Sequence, residues 1–152
     1  MNKDKLAAEV THELNQLHRV AEQAEELSRV PESDRRPWHA AAAAKYVTDL
    51  VNGLENLCKR RYRAVNIPMP DGEDSHVRIP EAVLEDPDLG ASLSDEVKHR
   101  LKKYLRFRHR FIHGYGHEVK WEIVDEPLRL LPETLHILSE IWLRWLRGVT
   151  PS

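Results

Sequence analysis

Only one cysteine, Cys58, stands in the 152 residues, so no disulfide can form within the chain. Neither sign of charge prevails: 23 Lys plus Arg face 25 Asp plus Glu, for a net charge of −2, which argues against a globally basic nucleic-acid coat. No apolar run approaches the roughly 20 residues that a membrane-spanning helix needs, so membrane insertion is not expected. No charged-then-apolar leader opens the sequence either, and together with the lone cysteine this sets the expectation of a reducing cytoplasm. Wholesale disorder is disfavoured by 41% hydrophobic and 32% charged residues. A chain of this length can bury roughly 68–70% of its unfolded surface, enough for one domain over 1–152. No internal repeat and no low-complexity tract divides it.

What is present is helical periodicity. From Asp4 to about Val30 the positions Leu6, Val10, Leu14, Leu17, Ala21, Ala24 and Ser28 advance by fours and threes, the spacing of one amphipathic helix, and Pro31 stops it. Ser33 or Asp34 can cap a second helix with Pro37 in its first turn, and Ala40 to Ala44, Leu50, Val51, Leu54, Leu57 and Cys58 carry it to about Arg63. Prolines and glycines interrupt any period between Val65 and Gly90, which reads as a long surface connection with a short helical turn near Pro80 to Glu85. Ser92 or Ser94 then caps a third long helix running to about His113, with Asp95 and Glu96 at its positive end. Trp121 to Glu126 has no assignment. Pro127 or Pro132 opens the last helix, where Leu131, Leu135, Leu138, Trp142, Trp145 and Val149 form one line and Ile137, Ile141 and Leu146 a second. The expected fold is all-α: four long helices and a short one.

The third long helix carries the chemistry. Residues 98 to 110 hold seven Lys and Arg and no acid, in a chain that is otherwise slightly acidic. Such a stripe serves either as a solvated helix face or as a docking site for a polyanion, of which nucleic-acid phosphate is the commonest. Within it, Val97, Leu101, Tyr104, Arg108, Phe111 and Tyr115 form the core-facing line, so Arg108 fills a slot where the rhythm demands an apolar side chain. An inward guanidinium is costly unless partnered, and it should meet a carboxylate on another helix, a cleft or a subunit interface.

Residues Arg108-His-Arg-Phe-Ile-His113-Gly-Tyr115 resemble the Arg-x4-His-x-Tyr motif of the HEPN superfamily, specifically the HepT-like ribonuclease toxins. His109 fills the position after the arginine, where HepT proteins most often have asparagine. The resemblance extends to chain length, helical layout and the motif's place late in the third long helix. It implies metal-independent RNA cleavage, possible targets including tRNA, in which the ribose 2′-hydroxyl supplies the nucleophile. His113 suits the general acid or base because imidazole populates both protonation states near neutral pH. Arg108 suits the clamp on phosphate oxygens, His109 supports it, and Lys102, Lys103, Arg106 and Arg110 are expected to hold the RNA. At about 3.6 residues per turn, Arg108 and His113 lie roughly 140° apart around a straight axis. Either Gly114 unwinds the helix end or two copies share the site. HEPN proteins resemble the second case, so a homodimer, alone or within a higher assembly, is expected.

Tyr115 has two readings, a packed tyrosine with a satisfied hydroxyl or a modification site. The second follows from the resemblance, since HepT toxins are encoded with a minimal, MntA-like nucleotidyltransferase antitoxin that transfers AMP to the motif tyrosine. Charge and bulk added there would block substrate phosphate. A metal is the competing chemistry, because His109, His113 and His117 recur every four residues. Two glycines between the last two histidines, and the lack of a cysteine or well-placed carboxylate, weigh against it, so no metal and no cofactor is assigned. A further alternative is a noncatalytic HEPN module that presents nucleotide or RNA to a partner nucleotidyltransferase.

Overall fold

The computed structural model describes residues 2–113 and 119–149, the side chains of His76, Val77, Ile112, His113 and Val149 excepted. Among the described residues all regular structure is helical: α1 (Lys3–Ser28), α2 (Pro37–Ala64), α3 (Ser75–Leu84), α4 (Asp95–His113) and α5 (Trp121–Val149), with 3₁₀ turns at Glu32–Asp34 and Gly90–Ser92. This is the expected set of four long helices and a short one. None of them is long and apolar enough to cross a membrane.

The long central helix α2 organises the bundle, packing against α1, α3, α4 and α5, while α1 also lies along α5. Its two-sidedness explains why Ala40, Ala43, Ala44, Val47, Leu50, Val51, Leu54, Leu57 and Cys58 are all buried. Gly53 lets α1 approach closely, because a Cβ there would collide with the Leu17 side chain. Antiparallel α1 and α2 are tied outside the core by Arg60 to Glu9 at 2.7 Å and Asn56 to Glu13 at 3.2 Å. Asn66, with φ of 58°, ends α2: the amide of Ile67 donates to the Tyr62 carbonyl and that of Asn66 to the Arg63 carbonyl, the paired bonds of a left-handed helix stop.

Four local expectations need correction. The α1 apolar line closes on Leu27 rather than Ser28, whose hydroxyl donates to the Glu25 carbonyl at 2.7 Å. Ser33 and Asp34 do not cap α2; Arg36 is the first flanking residue, and its amide donates to Nδ1 of buried His39 at 2.7 Å. The stretch from Val65 to Gly90 is not merely a surface connection, since α3 and the turn after it bury Ile79, Val83, Leu84 and Leu89. Arg61 anchors it, reaching Asp86 at 2.9 Å, while Asp86 accepts from the amides of Asp88 and Leu89.

The fourth correction is the start of α5, at Trp121 rather than at a proline, with Pro127 and Pro132 inside the helix. Each interior proline costs about 3 kcal/mol. Val124, Leu128, Leu131 and Leu135 form one fully buried line across both, and at about 1.5–3 kcal/mol apiece their burial matches or exceeds that cost.

Candidate functional site

Ser94 sets the start of α4, its hydroxyl accepting from the Val97 amide at 3.2 Å. Val97, Leu101, Tyr104 and Leu105 then turn the helix's apolar side inward. Tyr104 fastens α4 to α5, its phenol donating to the Pro127 carbonyl at 2.7 Å; burial pushes that phenol up to about 12. Arg100 makes a second tie, reaching Thr134 at 3.1 Å and both Glu133 and Glu96 at 3.5 Å. One member of the basic stripe is therefore occupied with holding helices together.

Arg108 is another. It is 4% exposed, and its Nη1 donates to Glu55 Oε2 at 2.8 Å and to Asn52 Oδ1 at 3.0 Å, both on α2. The inward guanidinium thus meets an interhelical carboxylate, the first of the partners its position called for. Lys59 reaches the other carboxylate oxygen at 3.3 Å. Burial works to raise the Glu55 carboxyl, but hydrogen bonds and charge from Arg108 and Lys59 prevail and hold it below its ordinary value. Glu55 therefore stays ionised and, with Asn52, holds the guanidinium by its Nη1. Asn52 and Glu55 were missed by the sequence reading, though Glu55 carried a signal: it interrupts the apolar line Val51, Glu55, Cys58 of α2 just as Arg108 interrupts that of α4.

The opposite side of α4 is exposed and basic. Lys102, Lys103, Arg106, His109 and Arg110 all lie on it. Arg108 therefore does not share a face with the residues expected to hold RNA. His113 is the last residue of α4, and its side chain lies outside the described residues, as do Tyr115 and His117 entirely. Among the described residues no group of three or more His, Cys, Asp or Glu is placed to hold a metal ion. The histidine alternative turns on His113 and His117, outside that description.

Beside the basic face, α4 and the first turns of α5 enclose a groove of about 330 Å³. Phe107 lies in it, half-buried and stacked on Phe111 with ring centres 6.3 Å apart and planes 10° from parallel.

Comparison with known proteins places a family model described as HepT-like protein on residues 42–147, from the first turns of α2 nearly to the end of α5. No curated protein and no solved structure matched the chain.

Proposed function

The chain belongs to the HepT-like family, and from that premise we propose that it is a metal-independent endoribonuclease, the toxin of a two-component system, acting as a homodimer. One observation on the site carries the reading: a buried arginine on α4, oriented by Glu55 and Asn52, stands five residues before a histidine at the end of a helix whose outer face is basic. In this proposal the RNA backbone lies along Lys102, Lys103, Arg106 and Arg110. His113 takes the proton of the ribose 2′-hydroxyl as it attacks the adjacent phosphorus, or gives one to the departing 5′-oxygen. With two protomers, one imidazole serves each role. Such proton transfer typically contributes about 10²- to 10⁴-fold.

Arg108 stabilises the charge gathering on the phosphate, with His109 in support. Since the guanidinium is covered in the single chain, this role requires the end of α4 to open toward substrate when two protomers meet. Tyr115 is proposed as the acceptor of AMP from an MntA-like nucleotidyltransferase. Coexpression with that partner and ATP should add one AMP mass to the peptide holding Tyr115, and an adduct on another tyrosine would refute the assignment.

The burial of Arg108 favours one second reading, a noncatalytic module in which the arginine is only an interhelical pin. Purified protein incubated with tRNA in excess EDTA separates the two. Cleavage that persists in EDTA and disappears in His113→Ala supports the nuclease; RNA binding without cutting supports the module. Arg108→Lys is the better companion variant than Arg108→Ala, because it retains a cation for Glu55 and so tests the guanidinium without emptying the core.

A further inference from the structure

We propose that the groove between α4 and α5 is a base-reading pocket that takes one unstacked nucleobase, preferentially guanine, from the RNA strand held on α4. The inference rests on the ribonuclease reading and adds to it a source of sequence preference.

The groove measures about 330 Å³, at the lower end of the roughly 300–1,000 Å³ typical of small-ligand sites, which suits one flipped-out nucleotide and excludes a duplex. Its α4 wall presents Lys103, Arg106 and Arg110, at i, i+3 and i+7, so their side chains form one line about 10 Å long on the helix surface. These are the phosphate-holding groups. Between them Phe107 offers an aromatic ring, and across the groove Ile123, 45% exposed, offers an apolar surface that the fold itself leaves open. A cation line beside a stacking ring is what single-stranded nucleic acid uses, because the bases stack while the backbone follows the charge.

The far wall supplies the selectivity. Glu122 and Glu126 stand one turn apart on α5, both exposed, on the edge of the same groove. An ionised carboxylate only accepts hydrogen bonds. Guanine alone among the four bases presents two adjacent donors, N1–H and N2–H₂, on its Watson–Crick edge, whereas adenine and cytosine set a ring acceptor beside their amino group and uracil flanks its single N–H with carbonyls. A carboxylate meeting that edge therefore favours guanine and repels the others.

The test uses the full-length protein and labelled ten-nucleotide RNA strands that differ at one central position: guanosine, inosine, adenosine or uridine. Binding is read by fluorescence anisotropy and cutting by gel, in EDTA. Wild type should bind the guanosine strand about tenfold more tightly than the adenosine strand, with inosine between them, since it lacks the N2 amino group. Glu122→Gln with Glu126→Gln should erase that preference, weakening the guanosine strand relative to wild type and, with the repulsion gone, strengthening the adenosine strand. Phe107→Leu, which keeps apolar packing without the ring, should weaken every strand by about tenfold. A guanosine preference that survives the double glutamine variant overturns the proposal. So does conversion of a dimer to a monomer by Phe107→Leu in sedimentation, which would make the groove a subunit interface. Discrimination without any cutting would leave the pocket standing and remove the nuclease reading; cutting without base preference, unchanged in the groove variants, would do the reverse.

Discussion

The Arg108–Glu55 pair admits a quantitative test, because its two charges come from helices α2 and α4 and neither side chain is more than 8% exposed. Removing one member of such a pair leaves the other charge buried, at a cost of about 3–5 kcal/mol, whereas removing both in favour of apolar groups of similar volume is close to neutral. The environment decides where in that range each single variant falls. Arg108→Met leaves Glu55 with Lys59 at 3.3 Å, so its loss should sit near 3 kcal/mol. Glu55→Leu removes the carboxylate that faces Arg108 and keeps the neutral Asn52, so its loss should also lie within about 3–5 kcal/mol. Against a total stability of about 5–15 kcal/mol, either change is large. The double variant should recover much of the loss, giving a coupling energy of at least about 2 kcal/mol. Urea titrations followed by circular dichroism at 222 nm measure all four corners of the cycle, with equal m-values confirming a common unfolding reaction. Single losses below about 1 kcal/mol that simply add would refute the reasoning, for they would show the pair to be solvated.

Three further outcomes follow from the packing. Gly53→Ala should destabilise the chain by about 1–3 kcal/mol, since its new methyl group meets buried Leu17 across the α1–α2 contact; an unchanged melting temperature would show that α1 yields freely. Tyr104→Phe leaves the Pro127 carbonyl without its 2.7 Å donor and should cost about 1–3 kcal/mol, and it should also remove a tyrosine ionisation near pH 12 from the ultraviolet titration of the native protein. Glu55 makes stability fall in acid: its folded carboxyl titrates below the unfolded one, so the contribution is complete above the unfolded value and is lost as pH drops through the folded one. Glu55→Gln should flatten the stability curve below about pH 4.5, and an unaltered slope would contradict the assignment.

Helices α1 and α5 were legible because their apolar lines run unbroken at helical spacing, and burial of Leu6 through Ala24 and of Leu131 through Trp145 follows those lines. Interruptions were harder. Proline reads as a boundary in α5, but a buried line that continues on both sides of it, from Val124 to Leu135, offsets its local cost. Between Val65 and Gly90 only a helical turn near Pro80 to Glu85 was legible, short of the full α3 at Ser75–Leu84, because the apolar set Ile79, Val83 and Leu84 is buried by contact with distant α2 rather than marked by length or capping. Arg108 is visible as a misplaced charge, and so is Glu55; their meeting is not, because 53 residues separate them and only the packing of α4 against α2 brings them together. The exposed faces of α4 were fixed by the same periodicity, which is why the four residues expected to hold RNA all lie on its outer side.

The central claim is that RNA is cut by its own ribose hydroxyl, with no metal, through His113. End-group analysis of the cleaved strand tests it most directly, comparing an all-ribose oligonucleotide with one bearing 2′-O-methyl groups at every position, both in excess EDTA. The account predicts 5′-hydroxyl and 2′,3′-cyclic phosphate ends from the first, no cutting of the second, and no cutting of either by His113→Ala. Scission of the methylated strand, or 5′-phosphate ends, would contradict it.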